Sequence, residues 1–323
     1  MKAIVYHRYG SPDVLECAEV ERPSAGDDDV LVQVRAASVN PLDWHYLRGS
    51  PRFMRLMTGL RRPKATRLGF DLAGRVEAVG RNVTQCRPGD EVFGTGRGAF
   101  AEYVVALEKN LAAKPARLTF EQAAAVPVAG YTALQALRDK GRIQPAQKVL
   151  IIGAAGGVGT FAVPIAKSFG ADVTGVCSTR NVDLVRSIGA DQVVDYTKED
   201  FTRSGPTYDL VIDCVGNRSL AACRSVMKPR GIYVMVGGQN GRWIGPLARG
   251  LKAVLLSRFV SQQLVMMLTS GNKQDLLMLK ELIEFGKITP VIDRSYPLSQ
   301  TAEALRYVEE GHARGKVVIT VRE

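Results

Sequence analysis

The 323-residue sequence predicts an α/β protein of two domains, one a barrel-like unit of short strands and the other a doubly wound parallel sheet. Three observations predict it. In the first third, short apolar runs alternate with Gly and Pro clusters. From Thr119 onward, apolar strands alternate with helical segments. Between a buried strand and a helix lies a glycine turn, Gly153-Ala154-Ala155-Gly156-Gly157-Val158-Gly159.

In chain order, strands are expected at 2–7, 30–37, 75–79, 90–93, 100–105 and 110–113. Pro23-Ser24-Ala25-Gly26, Arg87-Pro88-Gly89-Asp90 and Gly94-Thr95-Gly96 punctuate them. Many short strands with turns at close spacing predict a barrel-like all-β unit. Thr119-Phe120-Glu121-Gln122 is a Thr-x-x-Gln capping box that opens an alanine-rich helix. Strands at 149–152, 172–177, 192–194, 210–215 and 232–236 then alternate with helices at 158–169, 182–188 and 220–227. Strands that are apolar throughout are buried on both faces, which predicts a parallel sheet. Helices at 274–285 and 301–310 precede a closing strand at 316–321, which returns to the β-rich domain. The expected division is 1–122 with 290–323 for the β-rich domain, and 123–289 for the parallel sheet.

Two features sit less easily in this pattern. Pro164 falls inside the helix after the glycine turn, where proline costs about 3 kcal/mol, softened by its early position. Within the segment 243–268, Leu251, Val254, Leu255, Phe259, Gln263 and Met267 recur at nearly helical spacing. Such a Met-rich amphipathic helix packs into a core or dimer, lines a lipophilic pocket, or lies on a membrane.

Hydrophobic residues make up 46% and charged residues 23%, an ordinary globular mixture. No uncharged apolar run approaches the roughly 20 residues of a bilayer span. Met1-Lys2 leads straight into Ala3-Ile4-Val5-Tyr6, which does not read as a secretory signal. Cys17, Cys86, Cys177, Cys214 and Cys223 are odd in number and scattered, which suits a reducing, cytoplasmic compartment. Net charge is +11. No acid occurs from Trp44 to Phe70, which holds Arg48, Arg52, Arg55, Arg61, Arg62, Lys64 and Arg67. None occurs from Cys214 to Gln274, which holds nine Arg or Lys. Both stretches read as a field for an anionic cofactor, with a membrane surface as a further partner, unless acids elsewhere neutralise them. Nucleic acid is not an expected partner, since no recognition motif accompanies the charge.

The glycine turn has a specific mechanism. Glycines let backbone N–H groups approach a pyrophosphate, and the helix N-terminus adds partial positive charge. About 20 residues on, where a ribose-binding acid would stand, the chain reads Cys177-Ser178-Thr179-Arg180-Asn181. With no carboxylate to repel a 2′-phosphate, Ser178 and Thr179 as donors and Arg180 as partner predict NADPH over NADH.

A set of motifs extends over essentially the whole chain: Asn40-Pro41-Leu42-Asp43, Leu68-Gly69-Phe70-Asp71-Leu72-Ala73-Gly74, Pro88-Gly89-Asp90-Glu91-Val92-Phe93-Gly94, Gly130-Tyr131-Thr132-Ala133, the glycine turn, Gly189-Ala190-Asp191 and Gly315-Lys316-Val317-Val318. In these the chain resembles the medium-chain dehydrogenase/reductase superfamily, in its zinc-free quinone oxidoreductase-like branch, and its C-terminal half resembles the reticulon-interacting subgroup. The resemblance implies a GroES-like β-rich catalytic domain interrupted by a Rossmann domain, an active site in the cleft between them, and a homodimer. Zinc enzymes of the superfamily hold their metal with Cys, His and Cys. The first of these positions is Asn40, Gly-His-Glu reads Gly69-Phe70-Asp71, and Pro127-Val128-Ala129 offers no thiolate. The lobe of close cysteines is missing, since Gly94–Ala99 passes directly to the next strand.

Without a Lewis acid, the better acceptor delocalises charge itself, so the expected reaction is hydride transfer from NADPH to a lipophilic quinone or α,β-unsaturated carbonyl. The resemblance puts Asn40, Asp43, Tyr46 and Arg48 at the cleft. Asn40 is a candidate donor to the substrate oxygen or the nicotinamide ribose. Asp43 either orients Arg48 or fixes its loop. Tyr46 is a candidate proton donor or plain packing, Tyr131 a second phenol, and Thr132 a nicotinamide contact. Gly156, Gly157 and Val158 are expected at the pyrophosphate, with Ser178, Arg180 and Tyr196 around the 2′-phosphate and adenine ribose. Val215, Gly216, Val236, Gly237 and Gly238, at strand carboxyl ends, are expected at the nicotinamide, and Lys316 or Arg314 at a phosphate. The rivals are an NADP-dependent alcohol dehydrogenase or ketone reductase on the same fold, and a dinucleotide-binding scaffold with little turnover.

Overall fold

The computed structural model describes residues 1–203, 207–237 and 260–321. The chain forms two compact units, Met1–Tyr131 with Gly271–Glu323, and Thr132–Ser270. The expected division at 122/123 and 289/290 is thus shifted at both ends. The physical reason is packing on the first unit. Leu279 of the helix Lys273–Glu284 packs on Gly130, and the Arg117 guanidinium donates to the carbonyls of Ile283 and Glu284.

The first unit opens with β1 (Lys2–Val5) paired antiparallel to β2 (Glu16–Glu19). Its main sheet uses β3 (Asp29–Val39), β4 (Asp71–Val79), β5 (Glu91–Thr95), β6 (Tyr103–Leu107), β7 (Leu111–Ala113), and, beyond the second unit, β14 (Ile292–Pro297) and β15 (Lys316–Thr320). The order is β14-β15-β3-β4-β5-β7, with β6 also on β3. β3 is the hub because its length lets it pair with β6 along its first half and β15 along its last. Register then decides the site. Ser38 lies opposite Asp71 on β4, and Val39 opposite Val317 on β15. Three segments distant in sequence therefore meet at the end of β3. Val32, Val34, Leu72, Val92, Phe100, Val104 and Ile319 fill the core. The capping box forms as read: Thr119 accepts from the Gln122 N–H at 3.2 Å and opens the helix Phe120–Ala124.

The second unit carries β8 (Lys148–Ile152), β9 (Asp172–Cys177), β10 (Gln192–Asp195), β11 (Tyr208–Asp213), β12 (Met227–Met235) and β13 (Gln263–Met266), all parallel, ordered β10-β9-β8-β11-β12-β13. Chain order reverses between β8 and β11, the switch point where ligands bind in open sheets. The helix Gly159–Ser168 continues past Pro164. Every residue from Gly159 to Ala166 is buried, so packing outweighs the hydrogen bond that proline removes.

One helical expectation fails. The spacing predicts an amphipathic helix that includes Gln263, but Gln263–Met266 is a strand, pairing with Ile232–Met235. An open parallel edge satisfies the backbone of Gln263-Leu264-Val265-Met266, and that outweighs an apolar spacing of nearly helical period. The rest of that segment up to residue 259 lies outside the described residues, as does Gly238. Among the described residues, no helix is long and apolar enough to cross a membrane.

Candidate functional site

In the first unit, the meeting point of β3, β4 and β15 is a buried polar cluster centred on Asp71. One carboxylate oxygen of Asp71 accepts from Ser38 Oγ at 2.8 Å and Asn40 Nδ2 at 2.8 Å, the other from the Val128 N–H at 3.0 Å. Lys316 Nζ lies 3.5 Å from Asp71 and donates to Asn40 Oδ1 at 2.6 Å. Ser38, Asn40, Asp43, Asp71 and Lys316 are all buried. Burial pulls the Lys316 ammonium below its ordinary range, while Asp71 and Asp43 draw it back up. Buried charges persist only when paired and hydrogen-bonded, and each member here supplies that for another.

This geometry corrects several expectations. The Asn40 amide bonds inward at both ends, to Asp71 and to Lys316, so it does not offer a donor to substrate or ribose. Lys316 is a buried partner of Asn40 and is not placed to meet a phosphate. Asp43 fixes its loop, accepting the N–H groups of Asn40 at 2.8 Å and Gly69 at 3.1 Å. It does not orient Arg48, whose guanidinium pairs instead with Glu309, at 2.5 and 2.8 Å. Arg48 therefore braces the helix Pro41–Arg48 against the helix Thr301–Glu309. Burial pushes the Asp43 carboxyl up to about 7, against the two N–H bonds and with the Asp71 charge adding to the rise.

The phenols differ. Tyr46 packs its ring on Phe70, with centroids 5.3 Å apart. Tyr131 is fully buried, and among the described residues its hydroxyl has no hydrogen-bond partner. Burial, with Asp71 and Asp275 adding to it, raises its pKa, so the phenol keeps its proton. Thr132, in the second unit, shares a hydrogen bond of 2.9 Å with the Thr269 hydroxyl.

The second unit brings its predicted residues together at strand carboxyl ends. Gly153 takes φ 81°, and its N–H and that of Ala154 donate to the Val176 carbonyl, tying the turn to β9. A Cβ on Gly159 would stand 2.2 Å from the Gly153 carbonyl oxygen, so only glycine lets the helix start this close. The Gly156 N–H donates to Gly153 and is turned inward. Gly157 and Val158 are the residues just before the helix Gly159–Ser168. Val215 leans over Gly153: a Cβ there would lie 2.7 Å from Val215 Cγ2. Gly237 packs on the Cys214 backbone.

Asp213 organises this end of the sheet, and the sequence reading missed it. It accepts from the Val215 N–H at 3.0 Å, the Gly216 N–H at 2.7 Å and Tyr233 Oη at 2.5 Å. Its own carbonyl accepts from the Val236 and Gly237 N–H groups. An acid ending an apolar strand just before a Cys-Val-Gly turn was the available signal.

Around the end of β9, Ser178, Arg180 and Tyr196 lie close in the fold, the latter through its N–H to the Cys177 carbonyl. Arg180 and Tyr196 are exposed. Here too a reading changes. Asp195, ending β10, takes the Thr179 hydroxyl at 2.6 Å, so that group is not a phosphate donor. A carboxylate does stand nearby. The Thr179 and Thr197 hydroxyls and the Thr197 N–H hold it down at about 2. The acids also partly neutralise the second basic stretch: Lys228 pairs with Asp209 at 2.8 Å and Arg218 lies 3.9 Å from Asp200.

The first unit's cluster does not fit a zinc ion. Around the Asp71 carboxylate stand the Ser38 hydroxyl, the Asn40 amide and the Val128 N–H, and Lys316 already places a cation beside Asn40 and Asp71. Among the described residues, no three His, Cys, Asp or Glu side chains converge on one point. The glycine turn does fit a dinucleotide: a Cβ at Gly159 would stand 2.2 Å from the Gly153 carbonyl oxygen, so the helix can start close to the turn, and beside Gly156 nothing lies closer than 3.4 Å to where a Cβ would be, so that side of the turn is open.

Comparison with known proteins gives two family matches: the alcohol dehydrogenase GroES-like domain over residues 26–116, and the zinc-binding dehydrogenase domain over residues 188–319. The NADPH-dependent alkenal/one oxidoreductase of Arabidopsis thaliana is 34% identical over 334 residues, covering 99% of this chain and 79% of that one. The NAD(P)H oxidoreductase RTN4IP1 of Mus musculus is 33% identical over 362 residues, covering 99% and 89%. The quinone oxidoreductase of Coxiella burnetii has a structure matching at TM-score 0.88, with 32% identity, covering 100% of this chain and 99% of that one.

Proposed function

The chain belongs to the quinone oxidoreductase-like branch of the medium-chain dehydrogenase/reductase superfamily, and from that premise we propose that it is an NADPH-dependent enzyme reducing quinones or α,β-unsaturated carbonyls without zinc. The observation that carries the reading is the Asp71 cluster, where an amide, a hydroxyl, a backbone N–H and an ammonium surround the carboxylate. None of the donors around it is a metal ligand. With no Lewis acid to hold a simple alkoxide, an acceptor that spreads the incoming charge over its own π-system is the better substrate. The names of the Arabidopsis and Coxiella relatives agree with such acceptors.

Bound NADPH supplies the hydride. The Gly157 and Val158 N–H groups hold its diphosphate, and Ser178, Arg180 and Tyr196 hold the phosphorylated adenosine. Val215, Gly216, Val236 and Gly237 line the nicotinamide end. The Tyr131 hydroxyl, protonated and, among the described residues, without a hydrogen-bond partner, is the proton donor to the enolate or hydroquinone oxygen. Tyr46 and Arg48 stay structural. Asn40, Asp43 and Lys316 are positioning residues that fix the backbone around Asp71. The five free thiols agree with a reducing cytoplasm, and a homodimer follows from the resemblance.

The test is a panel of quinones, enones, simple ketones and alcohols with NADPH and NADH, with metal analysis. NADPH should be oxidised by quinones or enones, with higher kcat/KM than NADH and no loss on chelation. Stoichiometric metal whose removal abolishes turnover overturns the zinc-free reading. Preference for simple ketones makes the chain an alcohol dehydrogenase. NADPH binding with no turnover on any acceptor makes it a scaffold. Tyr131→Phe should lower kcat by about 10²-fold with little change in NADPH affinity.

A further inference from the structure

The first unit carries an exposed apolar tip that the proposed reaction does not use. A 3₁₀ turn, Arg52–Met54, runs directly into the short helix Arg55–Thr58. Phe53 lies in the turn, Leu56 and Met57 in the helix, and Leu60 just beyond it, after Gly59 at φ 120°. Their exposures are 38%, 71%, 82% and 68%. Exposed leucines scattered singly need no account, but four large apolar residues within eight positions do.

The tip is held in place from beneath. Tyr9 Oη donates to the Gly59 carbonyl at 2.6 Å and shares a hydrogen bond of 2.8 Å with Thr58 Oγ1. The Arg55 guanidinium lies over the Tyr9 ring at 4.5 Å and donates to the carbonyls of Gly49 and Arg48. The Lys64 N–H donates to Thr58 at 2.8 Å and closes the return of the chain. These bonds point the apolar face outward. Around it Arg52, Arg61, Arg62 and Lys64 are exposed, and no acid occurs between Asp43 and Asp71.

We propose that this tip docks the chain on an anionic lipid surface, with Leu56, Met57 and Leu60 entering the headgroup–acyl boundary and the flanking cations meeting the lipid charges. Only such a surface satisfies both halves of the pattern. A second copy in the same pose would bring like charges face to face. Nucleic acid would take the cations and leave three aliphatic side chains with no base to stack on. The inference does not depend on the reaction proposed above, although a lipophilic acceptor would be concentrated at the same surface.

The test floats the full-length chain with phosphatidylcholine vesicles, with and without phosphatidylglycerol, at low and at physiological salt. The wild type should float with the anionic vesicles only, less at higher salt. Leu56→Ser/Met57→Ser should lower the partition coefficient by at least about tenfold, and Arg61→Gln/Arg62→Gln by about fivefold per cation. Both pairs are exposed, so melting should be unchanged. Met57→Trp should shift its emission to the blue on adding anionic vesicles. No flotation of the wild type at low salt overturns the proposal, as does flotation unaffected by Leu56→Ser/Met57→Ser. Self-association lost in that variant without vesicle binding shows a contact between copies and overturns it. Oligonucleotide binding lost in Arg61→Gln/Arg62→Gln, again without flotation, overturns it equally.

Discussion

The glycine turn of the second unit and the Asp71 cluster of the first are both polar sites at strand ends, made of different material. The turn is backbone. Its donors belong to consecutive residues, and its shape needs glycine where a Cβ would meet a carbonyl, as at Gly159. The cluster is side chain. Its members, Ser38 on β3, Asn40 just past its end, Asp71 on β4 and Lys316 on β15, are brought together by strand register. In the proposed reading the turn offers N–H groups to a diphosphate, while the cluster satisfies itself. A polar motif at a strand end is thus proposed as a binding site in one place and is a brace in the other, and the difference is whether its hydrogen bonds close internally.

The strongest way to break this comparison is to open the cluster. Lys316→Met leaves Asp71 and Asp43 without their buried cation and should cost about 3–5 kcal/mol in urea unfolding. Adding Asp71→Asn should recover a large part of that loss. Strict additivity of the two changes would mean that they do not act as a unit.

A second test is pH. Asp43 has an ordinary value of 3.8 and is pushed up to about 7 in the folded chain. Between those values the folded state binds a proton that the unfolded state has released. Stability should therefore fall as pH rises through that window, by at most about 1.4 kcal/mol per pH unit, and level off above it. Asp43→Asn should be less stable throughout but should lose that slope. An unchanged slope in the variant assigns the titration elsewhere.

The turn is sharpened by separating binding from folding. Around Gly156 a Cβ meets nothing closer than 3.4 Å, so Gly156→Ala should fold normally. The added methyl crowds a dinucleotide, and the NADPH Kd should rise about tenfold, or 1.4 kcal/mol, by fluorescence titration. An unchanged Kd would move the diphosphate away from this bend.

The smallest effect is expected at Arg48. Its pair with Glu309 is partly exposed, so Arg48→Gln should cost about 0.5 kcal/mol in thermal unfolding and leave kcat/KM within about twofold. A loss of turnover far beyond the loss of stability would return Arg48 to the reacting groups.

What could be read in the chain alone followed from local rules. Hydrophobic period and flanking turns located β3, β8 and β9, and the Thr119 capping box located a helix start, because neighbouring residues set those features. The glycine turn was legible for the same reason. The edge strand Gln263–Met266 was not, because an open sheet edge claimed a segment whose own period was nearly helical. Nor were the roles of Asn40, Arg48, Thr179 and Lys316, since each depends on a partner far along the chain: Asp71, Glu309, Asp195 and Asn40. Composition and order determined which elements form and where the glycine turn falls. Strand register alone decided which polar side chains face each other, and whether a side chain keeps a free donor is settled only by what stands opposite it.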